Sequence, residues 1–298
     1  MRMVNRFFAP AALLLTLAAH GQDAYLNNSF VPRYWKANQP WTITARVRNA
    51  SSSAPLFTFR VDWRFNDGPI QAGGTQSTTG IGPGQYWPYT HPVPFNQPES
   101  GGVLKVWVVG VGETNPANDT LYFTVDVLGG WTAKSVLIEQ YTGTWCQFCP
   151  SANAATDALD ADPFIVVAKP HNNDELSNAS STAYWAQFNA NYSPSGVMEQ
   201  EEFGTLPDNA NYDQWDDWAE LRKQGVSPAA ITIAAEFNAW QRNLTVQVSV
   251  TFQAALSGQF TVNAFILEDN VPGNQVAAPP GYIHQQVVRH VFGGPGGT

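Results

Sequence analysis

Hydrophobic residues recur at every second position over long stretches of this chain, a period that a strand satisfies and a helix does not. Trp41, Ile43, Ala45 and Val47 alternate with Thr42, Thr44, Arg46 and Arg48. Phe57, Phe59, Val61, Trp63 and Phe65 alternate with Thr58, Arg60, Asp62, Arg64 and Asn66. Asp67-Gly68-Pro69, Gly73-Gly74 and Gly82-Pro83-Gly84 supply turns before Leu121, Phe123, Val125 and Val127 resume the alternation. Residues 22–129 are therefore expected to form an antiparallel β-sandwich. That stretch holds no cluster of His, Cys or paired carboxylates, so it reads as a spacer or adhesion-type module.

The first residues have the pattern of a signal peptide over 1–21. Arg2 and Arg6 precede an apolar run from Phe7 to Ala19, and the small residues Ala19 and Gly21 mark a cleavage site before Gln22. The run is too short to span a bilayer, and no later stretch is apolar enough to do so. Export agrees with the composition. Charged residues make up only 13% and tryptophan numbers 11, against roughly 25% charged residues in an average soluble protein. A net charge of -9 without any Lys/Arg cluster leaves no electrostatic footprint for nucleic acid.

From Ala133 the pattern changes. Val136 to Tyr141 is a nearly continuous strand-like run, followed by Trp145-Cys146-Gln147-Phe148-Cys149-Pro150. A helix rich in small residues is expected from there to about Asp160, then a second buried strand over Phe164 to Ala168. Further helices are expected over Thr182–Ala190 and over Gln214–Gln224, the latter capped by Asp213 and stopped by Gly225. Beyond Gly225 the period returns to two, with Leu244, Val246, Val248, Val250 and Phe252 on one side. This gives a region over 130–225 and a β-rich module over 226–298. The last glycines, Gly293 to Gly297, follow a strand with no closing element, so the chain is expected to be an incomplete copy lacking any C-terminal sorting signal.

Only two cysteines exist, and they are Cys146 and Cys149. A bridge closing so short a loop removes little entropy from the unfolded chain, so stapling the fold explains it poorly. Strand, CxxC, helix, strand is the βαβ context that gives such a pair a redox reading. Cysteines at i and i+3 fall on one face of a helix's first turn, where unpaired N–H groups favour thiolate at the more exposed sulfur. Cys146 would attack a substrate disulfide and Cys149 would resolve the mixed disulfide. Two alternatives stay open: a permanently oxidised structural bridge, and a zinc half-site. The latter needs two more ligands, and His91, His171, His284 and His290 show no ligand spacing.

The block Glu139 to Pro150, then Ser193-Pro194, then Leu267 to Val271 with Gln275, Tyr282, His284 and Arg289, resembles the Omp28-related outer membrane proteins over about residues 130–298. The resemblance implies a thioredoxin-like α/β domain flanked by an N-terminal Ig-like β-sandwich and a C-terminal β-rich module, a multidomain chain of α/β plus all-β class. It further implies that Pro194 is a cis proline facing the disulfide, and that Trp145, Gln147, Phe148, Ser193 and Pro194 line a substrate-binding surface. Thioredoxins bury a carboxylate where this chain has Gln140, while the adjacent Glu139 should point to the other side of the sheet. His171 is expected to cap a strand end, and His284 and Arg289 to pair with neighbouring strands.

The expected function is thiol–disulfide exchange through Cys146/Cys149, with no cofactor beyond that disulfide and with protein or peptide thiols as partners. The alternative is a non-catalytic envelope or surface binding protein with a structural disulfide. Periplasm, outer-membrane association and secretion are all compatible with the sequence.

Overall fold

A computed structural model describes residues 23–26, 31–110, 118–200 and 212–298. The expected signal peptide over 1–21 lies outside the described residues. Among these residues nine strands come first: β1 (Ala24–Leu26), β2 (Tyr34–Lys36), β3 (Thr44–Asn49), β4 (Leu56–Phe65), β5 (Gln71–Ala72), β6 (Gln76–Ile81), β7 (Tyr86–Thr90), β8 (Ser100–Gly110) and β9 (Thr120–Leu128). One sheet has the order β1-β3-β7, and the other β2-β9-β8-β4-β5, with β6 also on β4. Together they are sandwich-like. Trp41, Ile43, Ala45, Val47, Phe59, Val61, Trp63 and Leu104 share one buried cluster, and each fully buried large apolar side chain contributes roughly 1.5–3 kcal/mol. Phe57 departs from the alternation and is 48% exposed, while Leu56 is buried. The β4–β6 register shifts between Leu56 and Thr58, and such an irregularity reverses which side chain faces inward.

The next stretch contains β10 (Thr132–Ala133), β11 (Val136–Tyr141), α1 (Cys149–Leu159), β12 (Ile165–Ala168), α2 (Ala179–Gln187), β13 (Ser195–Met198), α3 (Trp215–Lys223) and β14 (Val226–Ser227). β12, β11 and β13 form a three-stranded sheet in that order, parallel between β11 and β12 and antiparallel between β11 and β13. α2 begins earlier than expected because Asn178 caps it, its side chain accepting from the N–H groups of Ser180 and Ser181. α3 starts after Gln214 rather than Asp213. Asp216 and Asp217 in its first turn and Arg222 and Lys223 in its last complement the helix dipole.

The last stretch contains β15 (Ala229–Asn238), β16 (Asn243–Phe252), β17 (Ala264–Glu268), β18 (Val271–Pro272), β19 (Ile283–His284) and β20 (Val287–Phe292). β15 and β16 form a hairpin whose register sets Ile231 opposite Val250, Ile233 opposite Val248 and Phe237 opposite Leu244. Its apolar face is open: Ile231, Ile233 and Phe237 are all more than 60% exposed. β17 and β20 instead pack inward, and Val288 and Val291 share a buried cluster with Tyr141, Ala168 and Tyr184. Lys169 and Val287 form a parallel bridge.

The expectation of a multidomain α/β class with a thioredoxin-like domain is overturned. Of the described residues, strand makes up 44%, spread over several sheets, and helix 13%. Among the described residues the only βαβ unit is β11-α1-β12, within a sheet of three strands. The buried run Val136–Tyr141 looks like a strand of an α/β sheet because both its faces are covered. Trp215 and Trp218 cover one face, and Tyr184, Trp185 and C-terminal strand residues cover the other. No helix among the described residues is long and apolar enough to cross a membrane.

Candidate disulfide site

Cys146 and Cys149 form a disulfide with their Cα atoms 5.4 Å apart, in the link between β11 and α1. α1 starts at Cys149, with Phe148 as N-cap and Pro150 in the first turn. Cys146 therefore lies in the turn ahead of the helix, not within it as the i, i+3 spacing suggested. Pro150 has no N–H and fits only where the helix begins, which leaves residue 146 outside. The Cys149 N–H donates to the Cys146 carbonyl at 3.4 Å. Cys146 is 4% exposed and Cys149 0%, so Cys146 is the more accessible of two shielded residues.

The residues named from the sequence gather at this end of the sheet. Trp145 is half exposed, donates from Nε1 to the Asn172 carbonyl at 2.7 Å, and lies over Gly143, where a Cβ would come within 2.6 Å of the indole. Gln147 and Phe148 are exposed. The Ser193–Pro194 bond is cis, Pro194 is buried, and the Ser193 hydroxyl donates to the Tyr141 carbonyl at 3.1 Å. Tyr141 pairs with Ser195, so Pro194 sits beside the end of β11 from which the cysteine loop departs.

A neutral network ties β11 to α1 where a carboxylate was sought. Gln140 Nε2 donates to Asn153 Oδ1 and Thr156 Oγ1 donates to Gln140 Oε1, each at 2.6 Å. Asn153 Nδ2 in turn donates to the Tyr282 hydroxyl at 3.0 Å. Glu139 is fully buried on the other side of the sheet, accepting from the Gln200 N–H at 3.1 Å. Burial pushes its carboxyl up to about 8.

Asp174, missed at the sequence level, and Gln275, named there only as part of the resemblance, hold the cysteine loop from outside. Asp174 Oδ2 accepts from the Thr144 N–H and lies 2.8 Å from His171 Nδ1. Burial raises the Asp174 carboxyl, but the bonds from His171, Thr144 and Ser177 outweigh it and hold it below its ordinary range. His171 and His284 meet edge to face at 5.2 Å. Burial, then His171, lowers the His284 imidazole. His284 thus meets a loop neighbour as well as pairing at Val271, and Arg289 pairs with Glu268 on the neighbouring strand. Gln275 Nε2 donates to the Cys146 carbonyl at 2.9 Å, and the Val276 N–H donates to the Thr144 carbonyl at 2.8 Å. His171, Gln275, Tyr282 and His284 all stand in the sequence as polar residues, but only the i, i+3 spacing of His171 and Asp174 is a local signal. Among the described residues, no group of three or more His, Cys, Asp or Glu side chains could hold a metal ion.

No protein-family model matches the chain, and no curated protein matches it. Among solved structures it is similar to the CARDB domain of the PF1109 protein from Pyrococcus furiosus, in complex with di-metal ions. That match has 17% identity over 40% of this chain and 100% of that one, with a TM-score of 0.29. It is also similar to a cycloisomaltooligosaccharide glucanotransferase from Paenibacillus sp., complexed with cycloisomaltoheptaose, at 16% identity over 47% of this chain and 19% of that one, TM-score 0.29. A β-glucosidase from Listeria innocua in complex with glucose matches at 14% identity over 36% and 16% of the two chains, TM-score 0.24. The chain spans less than a fifth of either enzyme, and at such TM-scores the likeness bears on neither activity nor ligand.

Proposed function

We propose that this is an exported protein, akin to the Omp28-related outer membrane proteins, that exchanges disulfides with protein or peptide thiols through Cys146 and Cys149. The carrying observation is the bridge's place: it links residues three apart, between a strand end and a helix start, and joins no distant parts of the chain. In the oxidising direction a substrate thiolate attacks Cys146 Sγ, the Cys146–Cys149 bond breaks, and Cys149 leaves as thiolate and takes up a proton. A second substrate thiolate then attacks the mixed disulfide, forming the substrate disulfide and releasing Cys146 as thiolate. The reverse sequence reduces a substrate disulfide. The periplasm, the outer-membrane face or the exterior is the proposed location.

Trapping tests this reading. Cys149→Ser removes the resolving thiol, so mixing the reduced variant with a disulfide-bonded model peptide should accumulate a covalent adduct at Cys146, whereas Cys146→Ser should accumulate little. Equal adduct from both, or none from either, goes against exchange. The low exposure of Cys146 favours a second reading, an envelope or surface binding protein whose disulfide is structural. Such a protein would keep its partner after both cysteines are changed to Ser.

A further inference from the structure

We propose that Gln275 is a positioning residue for the cysteine pair, clamping the Cys146 carbonyl so that the turn stays closed and the disulfide is favoured over the dithiol. The proposal rests on the exchange reading. Gln275 lies between β18 and β19, 129 residues from Cys146 in sequence. Its Nε2 is 2.9 Å from the Cys146 carbonyl oxygen and 3.3 and 3.4 Å from those of Thr144 and Gly143. Three carbonyl acceptors require the amide nitrogen, not its oxygen, to face them. The side chain is 7% exposed, and its Oε1 is buried without a hydrogen-bond partner. An unpaired buried amide oxygen is unfavourable, which an apolar filler would avoid, so the donor is what the position requires.

The segment bearing Gln275 is itself fixed on three sides. The Gly273 N–H donates to the Tyr282 carbonyl at 3.1 Å, Tyr282 accepts from Asn153 of α1, and His284 packs on His171. The amide is therefore held by a docked hairpin rather than by a free loop. Pinning the Cys146 carbonyl restrains the turn that sets the distance between the sulfurs. A reduced pair held in that turn re-forms its bond more readily than one on a loosened turn, because the effective concentration of one thiol at the other is higher.

The test is the dithiol–disulfide equilibrium of the purified chain in glutathione buffers, with thiols trapped by alkylation and counted by mass. Gln275→Ala should make the bridge about tenfold easier to reduce, about 30 mV for this two-electron couple. Gln275→Glu keeps the size but presents a carboxylate to three carbonyls. Compared with wild type at the same pH, it should shift at least as far at pH 8 and return towards wild type in acid, where the protonated carboxyl can donate. Tyr282→Phe, which removes the bond from Asn153 but leaves the amide clamp, should leave the equilibrium within twofold of wild type.

Potentials for Gln275→Ala and Gln275→Glu within twofold of wild type overturn the proposal. So does a Tyr282→Phe shift as large as that of Gln275→Ala, which would reduce the effect to hairpin packing. If the wild-type bridge resists reduction while that of Gln275→Ala yields, the clamp stands and the exchange reading falls. If wild type equilibrates reversibly and Gln275→Ala matches it, exchange stands and the clamp falls.

Discussion

Gln140 Nε2 donates to Asn153 Oδ1 across 2.6 Å, joining β11 to α1 by a buried, uncharged hydrogen bond beneath the cysteine loop. The Gln140 oxygen accepts from Thr156 Oγ1, so both ends of the amide are engaged. Replacing one partner leaves the other desolvated and unpaired, the costly half of hydrogen-bond energetics. Asn153→Leu should therefore lower unfolding free energy by about 1–3 kcal/mol, read from urea denaturation. A loss of only a few tenths would mean that water takes over the vacated bonds.

Glu139 gives stability a slope with pH. Its folded carboxyl is raised to about 8 from 4.5, so the folded chain holds a proton that the unfolded chain has released. The contribution is fully present below pH 4.5 and is lost as pH rises through about 8, with a limiting slope of about 1.4 kcal/mol per pH unit from this one group. Glu139→Gln should flatten the fall in melting temperature between those limits. An unchanged profile would place the slope elsewhere.

Asp174 acts with the opposite sign. Its folded carboxyl is held below 3.8, so its contribution is present above that value and is lost as pH falls through the lower folded one. Asp174→Ala removes the acceptor of both the Thr144 N–H and the His171 imidazole. It should cost about 1–3 kcal/mol at neutral pH, with the difference from wild type shrinking in strong acid. A difference independent of pH would point to lost packing instead.

The open face of the β15–β16 hairpin should tolerate charge. Ile233 is 65% and Phe237 64% exposed, so Ile233→Asp and Phe237→Ser should change unfolding free energy by no more than about 0.5 kcal/mol. They should also reduce concentration-dependent self-association, because exposed apolar faces are adhesive. Sedimentation velocity and thermal melts check both. A loss of about 2 kcal/mol or more would show that the face is covered in solution.

Local periodicity carried the sandwich core. Trp41, Ile43, Ala45 and Val47 are buried as their alternation requires, because a strand's side chains face opposite sides whatever its partner. Phe57 escaped that logic through a register shift, which depends on the pairing with β6 and has no signature within β4 itself. The fold class was misread because the α/β expectation rested on one strand–helix–strand passage and the family resemblance around its CxxC block, whereas that passage belongs to a sheet of three strands and most strand pairs among the described residues are antiparallel. The cysteine pair was legible as a motif. Its neighbours Gln275 and Tyr282 stood out only through the family resemblance, with nothing local to link them to the motif, since their bonds to the Cys146 turn and to Asn153 span 129 positions and follow from tertiary packing alone. Asn178 and Ser181 did carry a readable local signal, the capping that starts α2 three residues ahead of the expected Thr182.

The equilibrium reduction potential of the wild-type Cys146/Cys149 pair tests the exchange function most directly. A reversible value between about -120 and about -270 mV, the span of known exchange proteins, is the predicted result. A value below about -300 mV, or a bridge that reductant reaches only after unfolding, would contradict it and leave the disulfide a structural one.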